Sequence, residues 1–268
     1  REGTADYIIT GSWAKKAFKE AKQVGNPHAA ATSEDKNFSY IPDLANLNLE
    51  PNAAYLHFTS NNTIFGTQFA GEPPARVPLV CDASSDFLSR RIDVERYGLI
   101  YAGAQKNLGP AGVTVVLIRD EFLQKRNQPL PTMLDYGTHV GDLFNTPPVF
   151  AVYIVEKVLR WLEDLGGLPA MEEINARKAE KLYAKIDASE FFRGTATTDS
   201  RSKMNVTFRL PSEDLEKKFV EEAKTAGLLG LKGHRSVGGM RASIYNACPE
   251  ESVAALISFM DEFERKNG

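Results

Sequence analysis

Short apolar runs bounded by turn residues recur through the first half of this chain and leave few folds open to it. Residues 53–59, 77–81, 98–102 and 113–118 are each close to continuously apolar, with Gly, Pro, Asn, Asp or Ser nearby. Runs of this length read as strands buried on both faces. A helix is predicted before them: Ala14, Ala17, Phe18, Ala21 and Val24 recur at helical spacing and stop at Gly25, with Ser12 as the expected N-cap. Residues 29–52 are polar and contain proline, and they read as mostly irregular. Strands interspersed with helices favour an α/β layer with a mostly parallel or mixed sheet. Ligands of such sheets collect at the carboxyl ends of the strands, so polar residues at strand exits are the candidates for chemistry.

The second half has a different rhythm. Pro147 and Pro148 suit the first turn of a helix, and Phe150, Ile154, Val158, Trp161, Leu162 and Leu165 continue it as an apolar stripe ending at Gly166-Gly167. That glycine pair is the expected domain boundary, dividing a large domain (1–165) from a small C-terminal α+β domain (166–268). Helices are predicted over 171–186, 212–226 and 249–266, with strands over 204–210, 227–231 and 240–247.

With 268 residues, 43% of them hydrophobic, the chain can bury a large core. Its 32 Lys and Arg are spread among 35 Asp and Glu, so no basic field for nucleic acid or an anionic membrane is expected. Any anionic ligand must be held locally. Cys81 and Cys248 have no metal-ligand spacing; neither a metal site nor a disulfide framework is indicated, and a cytoplasmic location is the simplest. No apolar run approaches a membrane span, and no signal-peptide order opens the chain. It begins at Arg1 rather than Met, which is compatible with a processed, cleaved or partial chain.

The strongest local signal is Lys106, at a strand end inside the Gly-rich loop 102–112. A solvated lysine on a turn is the plainer reading, because lysines are mostly exposed. Asp82 alters the balance. It follows an apolar run at another strand exit, where an unpartnered carboxylate is costly. Pyridoxal phosphate needs both groups, a lysine amine for the Schiff base and a carboxylate to keep the pyridine nitrogen protonated. Trp13 offers a flat face for the ring, and Thr63 could bond its hydroxyl side. Three glycines surround His234 and Arg235, implying a backbone shaped for close approach. Arginine in such a loop suits bidentate capture of a carboxylate, and a neighbouring His and Arg suit a phosphate.

Several stretches occur together and in order: Thr10-Gly11-Ser12-Trp13-Ala14, Asn61-Asn62-Thr63-Ile64, Asp82 with Ser84 and Ser85, residues 89–93, 101–112, Phe144-Asn145-Thr146-Pro147-Pro148 and 233–247. Together they resemble the phosphoserine aminotransferase family over essentially the whole chain. The resemblance implies a fold-type-I large domain with a mostly parallel sheet and a small C-terminal α+β domain. It implies pyridoxal 5'-phosphate on Lys106, Asp82 at the pyridine nitrogen, Trp13 stacked on the ring, Thr63 at its hydroxyl side, and Ser84 and Gln105 among the cofactor contacts. Asn145 and Thr146 match a motif that reaches the cofactor phosphate of a second subunit, implying a homodimer with shared active sites. His234, Arg235 and Arg241 match the substrate-binding basic residues. The implied reaction exchanges an amino group between L-glutamate and 3-phosphohydroxypyruvate in serine biosynthesis, with a related use in pyridoxine biosynthesis in bacteria. Cationic neighbours are expected to keep the Lys106 amine partly neutral. Family members carry a further N-terminal segment, so the alternative is an inactive fragment of such an enzyme. A cysteine desulfurase is disfavoured, since Cys81 lies in an apolar strand and Cys248 precedes a proline.

Overall fold

The computed structural model describes residues 3–125 and 129–268. Its centre is a six-stranded sheet whose strands are β1 (Thr4–Ile9), β2 (Asn26–Thr32), β3 (Ala53–Thr59), β4 (Leu79–Asp82), β5 (Tyr97–Gly103) and β6 (Thr114–Ile118), in the order β2-β1-β3-β4-β5-β6. The first five are parallel, and β6 runs antiparallel to β5 at the edge. The apolar runs form strands because Ile8, Leu56, Phe58, Leu79, Cys81 and Ile100 are all buried in one cluster. Two expectations are corrected here. The polar stretch from residue 29 is not wholly irregular: β2 pairs with β1 and carries only one buried residue, Ala30. As an edge strand it needs no apolar run. At the other edge β6 is partly exposed rather than buried on both faces, since nothing described pairs with its outer side.

Helix α1 (Ser12–Val24) follows β1, and its N-cap is Gly11, not Ser12, with no side-chain cap bond. Helices α2 (Val149–Asp164) and α3 (Gly167–Asp187) are separated at Gly166, whose φ of 101° is the left-handed conformation that glycine adopts without steric cost. Beyond them β7 (Asn205–Arg209) pairs antiparallel with β8 (Met240–Ser243) and with Arg193–Gly194. Helix α4 (Glu213–Thr225) is capped by the Ser212 hydroxyl accepting from the Leu215 amide, with Glu213, Asp214 and Glu216 in its first turn. Helix α5 (Glu250–Asn267) closes the chain. The strand expected over 227–231 is absent among the described residues; only a bridge from Lys232 to Met240 forms there. Leu182, Val206, Phe208, Phe219, Met260 and Phe263 pack into a second core, separate from the one under the large sheet.

Two buried ionisable groups mark these cores. Lys178 on α3 is fully buried, and its ammonium donates to the carbonyls of Ile244 (3.0 Å), Tyr245 (2.8 Å) and Cys248 (3.0 Å). His57 on β3 is buried against Tyr7, with ring centroids 4.8 Å apart, and its Nε2 meets the Tyr101 hydroxyl at 3.1 Å. Burial lowers the His57 pKa to about 4. The unfolded chain, with an ordinary His value near 6.5, therefore binds the extra proton first. Stability should rise with pH between those two values and fall as the pH drops through them. Urea midpoints measured from pH 4.5 to 7 should show about 2–3 kcal/mol of this dependence, and His57→Asn should lack it. An unchanged pH slope in the variant would refute the assignment.

Candidate active site

Parallel pairing brings the exits of β1, β3, β4 and β5 to one edge of the sheet. Thr59 is in register with Asp82, and Asp82 with Tyr101, so Asp82 lies between the exits that carry Thr63 and Lys106. Side chains join neighbouring exits. Asn62 Nδ2 donates to Thr10 Oγ1 at 3.1 Å, and the Trp13 indole N–H donates to Thr63 Oγ1 at 3.3 Å. The Trp13 ring is half exposed, and Lys16 Nζ lies 4.6 Å from its centroid. Asp82 Oδ1 accepts the Ser84 amide at 3.0 Å, while Ser84 Oγ accepts the Gly103 amide at 3.1 Å. Ser84 thus links the Asp82 exit to the strand that leads into Gln105 and Lys106. Gln105 is exposed in that loop.

The Lys106 amine is partly buried, and its pKa is lowered chiefly by that burial. Asp82 opposes the shift, Arg241 reinforces it, and Asp86 opposes it. The expected cationic contribution is present in Arg241, but desolvation, which the sequence reading did not weigh, leads. Among the described residues no cationic side chain ion-pairs with Asp82.

The small sheet contributes Arg241. It sits on β8 opposite Thr207, and one Nη donates to the Thr63 carbonyl at 3.2 Å, which ties the small sheet to the β3 exit. Its Nε is buried with no hydrogen-bond partner. His234 and Arg235 lie on the preceding loop, where the Gly233 amide donates to the Gly239 carbonyl at 2.8 Å and the Gly238 amide to the His234 carbonyl at 2.9 Å. A Cβ at Gly233 would stand 2.0 Å from the Gly238 carbonyl oxygen, so this closure requires glycine. His234 Nδ1 contacts the Ser236 hydroxyl at 2.7 Å, and Arg235 is exposed. No described contact joins either residue to Lys106 or Asp82. Asn145 and Thr146 lie on an exposed segment before α2, and no described contact joins them to Lys106 or Asp82.

Sequence reasoning missed the polar layer beneath this site. Asp86 is buried, accepts from the Ser60 hydroxyl and from Gln68 Nε2 at 3.0 Å, and has its carboxyl pKa raised by burial. Asn61 Nδ2 donates to Ser85 Oγ and to Asn205 Oδ1, both at 2.9 Å, and Asn205 in turn donates to the Tyr245 hydroxyl at 3.1 Å. The available signal was positional, because 60–63 and 84–86 are unbroken polar runs entered directly from apolar strands.

This combination of a mostly parallel sheet, a partly buried lysine at one exit and a carboxylate without a described ion pair at the next defines a class that comparison with known proteins identifies. The family model described as Aminotransferase class-V matches residues 1–256, and the chain belongs to that family. Within it, the chain is 58% identical over 270 residues to a phosphoserine aminotransferase from Desulfosudis oleivorans, covering 99% of this chain and 74% of that one. Among solved structures it superposes on a phosphoserine aminotransferase from Bacillus circulans subsp. alkalophilus with a TM-score of 0.97 at 53% identity, covering 100% of this chain and 75% of that one. A pyridoxal-phosphate-bound phosphoserine aminotransferase from Trichomonas vaginalis matches with a TM-score of 0.91 at 40% identity, covering 96% and 75%. The chain therefore spans about three quarters of the length of these relatives, and its architecture is the fold-type-I one.

The charge environment of Lys106 gives a direct test. Asp82→Asn removes an anion that raises the lysine pKa, so the amine should titrate lower still. Arg241→Gln removes a cation and should shift it the other way. The pH dependence of amine acylation at Lys106 in cofactor-free protein, read by peptide mass, should move in opposite directions for the two variants. Shifts of the same sign would refute this placement of charges.

Proposed function

We propose that this chain is a pyridoxal-phosphate-dependent transaminase that exchanges an amino group between L-glutamate and 3-phosphohydroxypyruvate, giving 2-oxoglutarate and O-phospho-L-serine. That reaction belongs to serine biosynthesis. The observation that carries the reading is the placement of Asp82 and Lys106 at adjacent parallel strand exits, in a chain 58% identical to a phosphoserine aminotransferase. The same identity favours a catalyst over a non-catalytic fragment. The site residues fit the cofactor and its substrates: Asp82 has a carboxylate free of any described ion pair, Trp13 keeps an exposed ring, and the Arg241 Nε, assigned to substrate, is buried without a partner.

When bound, pyridoxal phosphate supplies a carbonyl that takes up the amino group and a ring that accepts electrons. Asp82 then holds a proton at the pyridine nitrogen. Lys106 would hold the cofactor, and its amine is placed to move the substrate proton as base and then acid. Burial lowers the pKa of its amine, which favours the neutral form that this task needs. Trp13 would pack on the ring, Thr63 would bond its hydroxyl side, and Ser84 and Gln105 would complete the cofactor contacts. Arg241 takes the carboxylate shared by both substrates, and His234 with Arg235 takes the phosphate.

The proposal includes a large cofactor-binding domain (1–165) and a small C-terminal domain (166–268), supported by their separate cores. It also includes a homodimer. Leu143 (80% exposed), Phe150 (74%), Val149, Tyr153 and Val140 form an exposed apolar tract around Asn145 and Thr146. Such a tract is a liability unless a partner covers it, and a second copy would bring those two residues to its neighbour's cofactor. No described helix is long and apolar enough to cross a membrane, and the free thiols of Cys81 and Cys248 support a cytosolic setting.

Lys106→Ala should abolish transamination together with the visible absorbance of the lysine-bound cofactor; a reducible cofactor adduct on another lysine would overturn the assignment. Arg241→Ala should impair turnover of both substrates, and Arg235→Ala chiefly that of the phosphorylated one. Loss of one partner from a desolvated charge pair costs about 2–5 kcal/mol. Steady-state kinetics on each substrate separates the two roles, and equal losses for Arg235→Ala would refute the division.

A further inference from the structure

Three buried asparagines, Asn107, Asn175 and Asn246, meet beside the lysine loop although they come from three different parts of the fold. Asn107 follows Lys106, Asn175 lies on α3, and Asn246 lies in the turn after β8. Their amide groups take three consecutive carbonyls of one turn. Asn107 Nδ2 donates to Phe87 O at 3.1 Å, Asn246 Nδ2 to Leu88 O at 2.9 Å, and Asn175 Nδ2 to Ser89 O at 3.1 Å. They also hold one another: Asn175 Nδ2 donates to Asn246 Oδ1 at 2.8 Å, and the Asn246 backbone N–H donates to Asn107 Oδ1 at 3.1 Å.

The turn they grip is strained. Leu88 has a φ of 59°, a left-handed conformation that a residue with a branched side chain avoids unless its surroundings impose it. The same turn carries Asp86, whose carboxyl is held by Ser60, and Ser60 N donates to the Asp82 carbonyl at 3.0 Å. The Asn246 turn is fixed from its other side by Lys178 through the carbonyls of Ile244, Tyr245 and Cys248. The lysine-bearing loop, the turn beyond Asp82 and the small sheet that carries Arg241 are therefore joined at one buried point. The three asparagines bring no charge to that junction, and the ionisable groups beside it, Asp86 and Lys178, are themselves buried.

We infer that Asn107, Asn175 and Asn246 form a clamp that positions Lys106 from the small sheet, setting both the depth of its amine and its alignment for proton transfer. They are positioning residues and touch neither cofactor nor substrate. The inference rests on the transaminase reading above and deepens it. Asn175 Oδ1 is buried without a partner, but the three Nδ2 donors are all satisfied, and alternatives that unpair them are costly.

The test uses cofactor-loaded protein and the variants Asn246→Ala, Asn107→Ala and the pair. Displacing a catalytic group by about 1 Å costs on the order of a hundredfold in rate. Asn246→Ala should therefore lower kcat by about ten- to a hundredfold with the KM for glutamate little changed. Spectral titration should show the lysine–cofactor linkage titrating at higher pH than in wild type, because a loosened loop admits water. The double variant should lose little more than the worse single one. A purely structural role predicts lower thermal stability with an unchanged spectral titration and an unchanged kcat in the folded fraction, and that result would overturn the clamp. Additive losses would overturn it too. Should a single variant fail to fold, Asn246→Ser provides the same readings with a smaller perturbation. An inactive wild type with an intact spectral response would count against the transaminase reading alone, leaving the shift in titration to judge the clamp.

Discussion

Parallel pairing of five strands is the constraint from which the rest of this molecule follows. It sends every carboxyl end to one edge, where the ladder stops and the next backbone groups must find other partners. The chain answers with polar side chains. Ser60 meets the Asp82 carbonyl, Ser84 joins Asp82 to Gly103, and Asn62 reaches Thr10. The residues that satisfy the strand ends are thus the same ones that hold Asp82 and Lys106 in place, so the architecture and the reactive constellation share a single set of hydrogen bonds. A change made to improve one would disturb the other.

The environment of Lys106 shows how magnitude rather than mere proximity decides chemistry. Two carboxylates favour the charged amine and one guanidinium disfavours it, yet burial outweighs their sum and the pKa falls. A solvent-exposed lysine with the same neighbours would titrate in the opposite direction. Depth in the structure is therefore part of the reactivity. That depth is maintained by the packing of Ala102, Ala104 and Leu108 around the loop.

Much of this was legible in the sequence, and the failures have physical reasons. The buried strands announced themselves because their apolar runs are continuous, and Lys106 and Asp82 stood out because each breaks such a pattern at its end. Edge elements were harder: β2 and β6 bury too little to be forced into an unbroken apolar pattern, so one was overlooked and the other taken as more deeply covered than it is. Gly11 as the cap of α1 was missed because Ser12 has the better capping side chain, while the close approach at the β1 exit favours a residue without one. The polar layer of Asn61, Asp86, Asn205 and Asn246 was illegible for a different reason. Its members are between 25 and 185 residues apart, and an isolated asparagine carries no periodic signal about which distant group it will find.

Lys178 has a consequence of its own kind. Three carbonyl oxygens converge on its nitrogen at 2.8–3.0 Å, matching the three N–H bonds of an ammonium. A planar guanidinium spreads its donors across a fork and could not serve three acceptors gathered around one point. At this position the chemical difference between lysine and arginine is one of shape, and a substitution that conserves charge would still break the turn on which Asn246 stands.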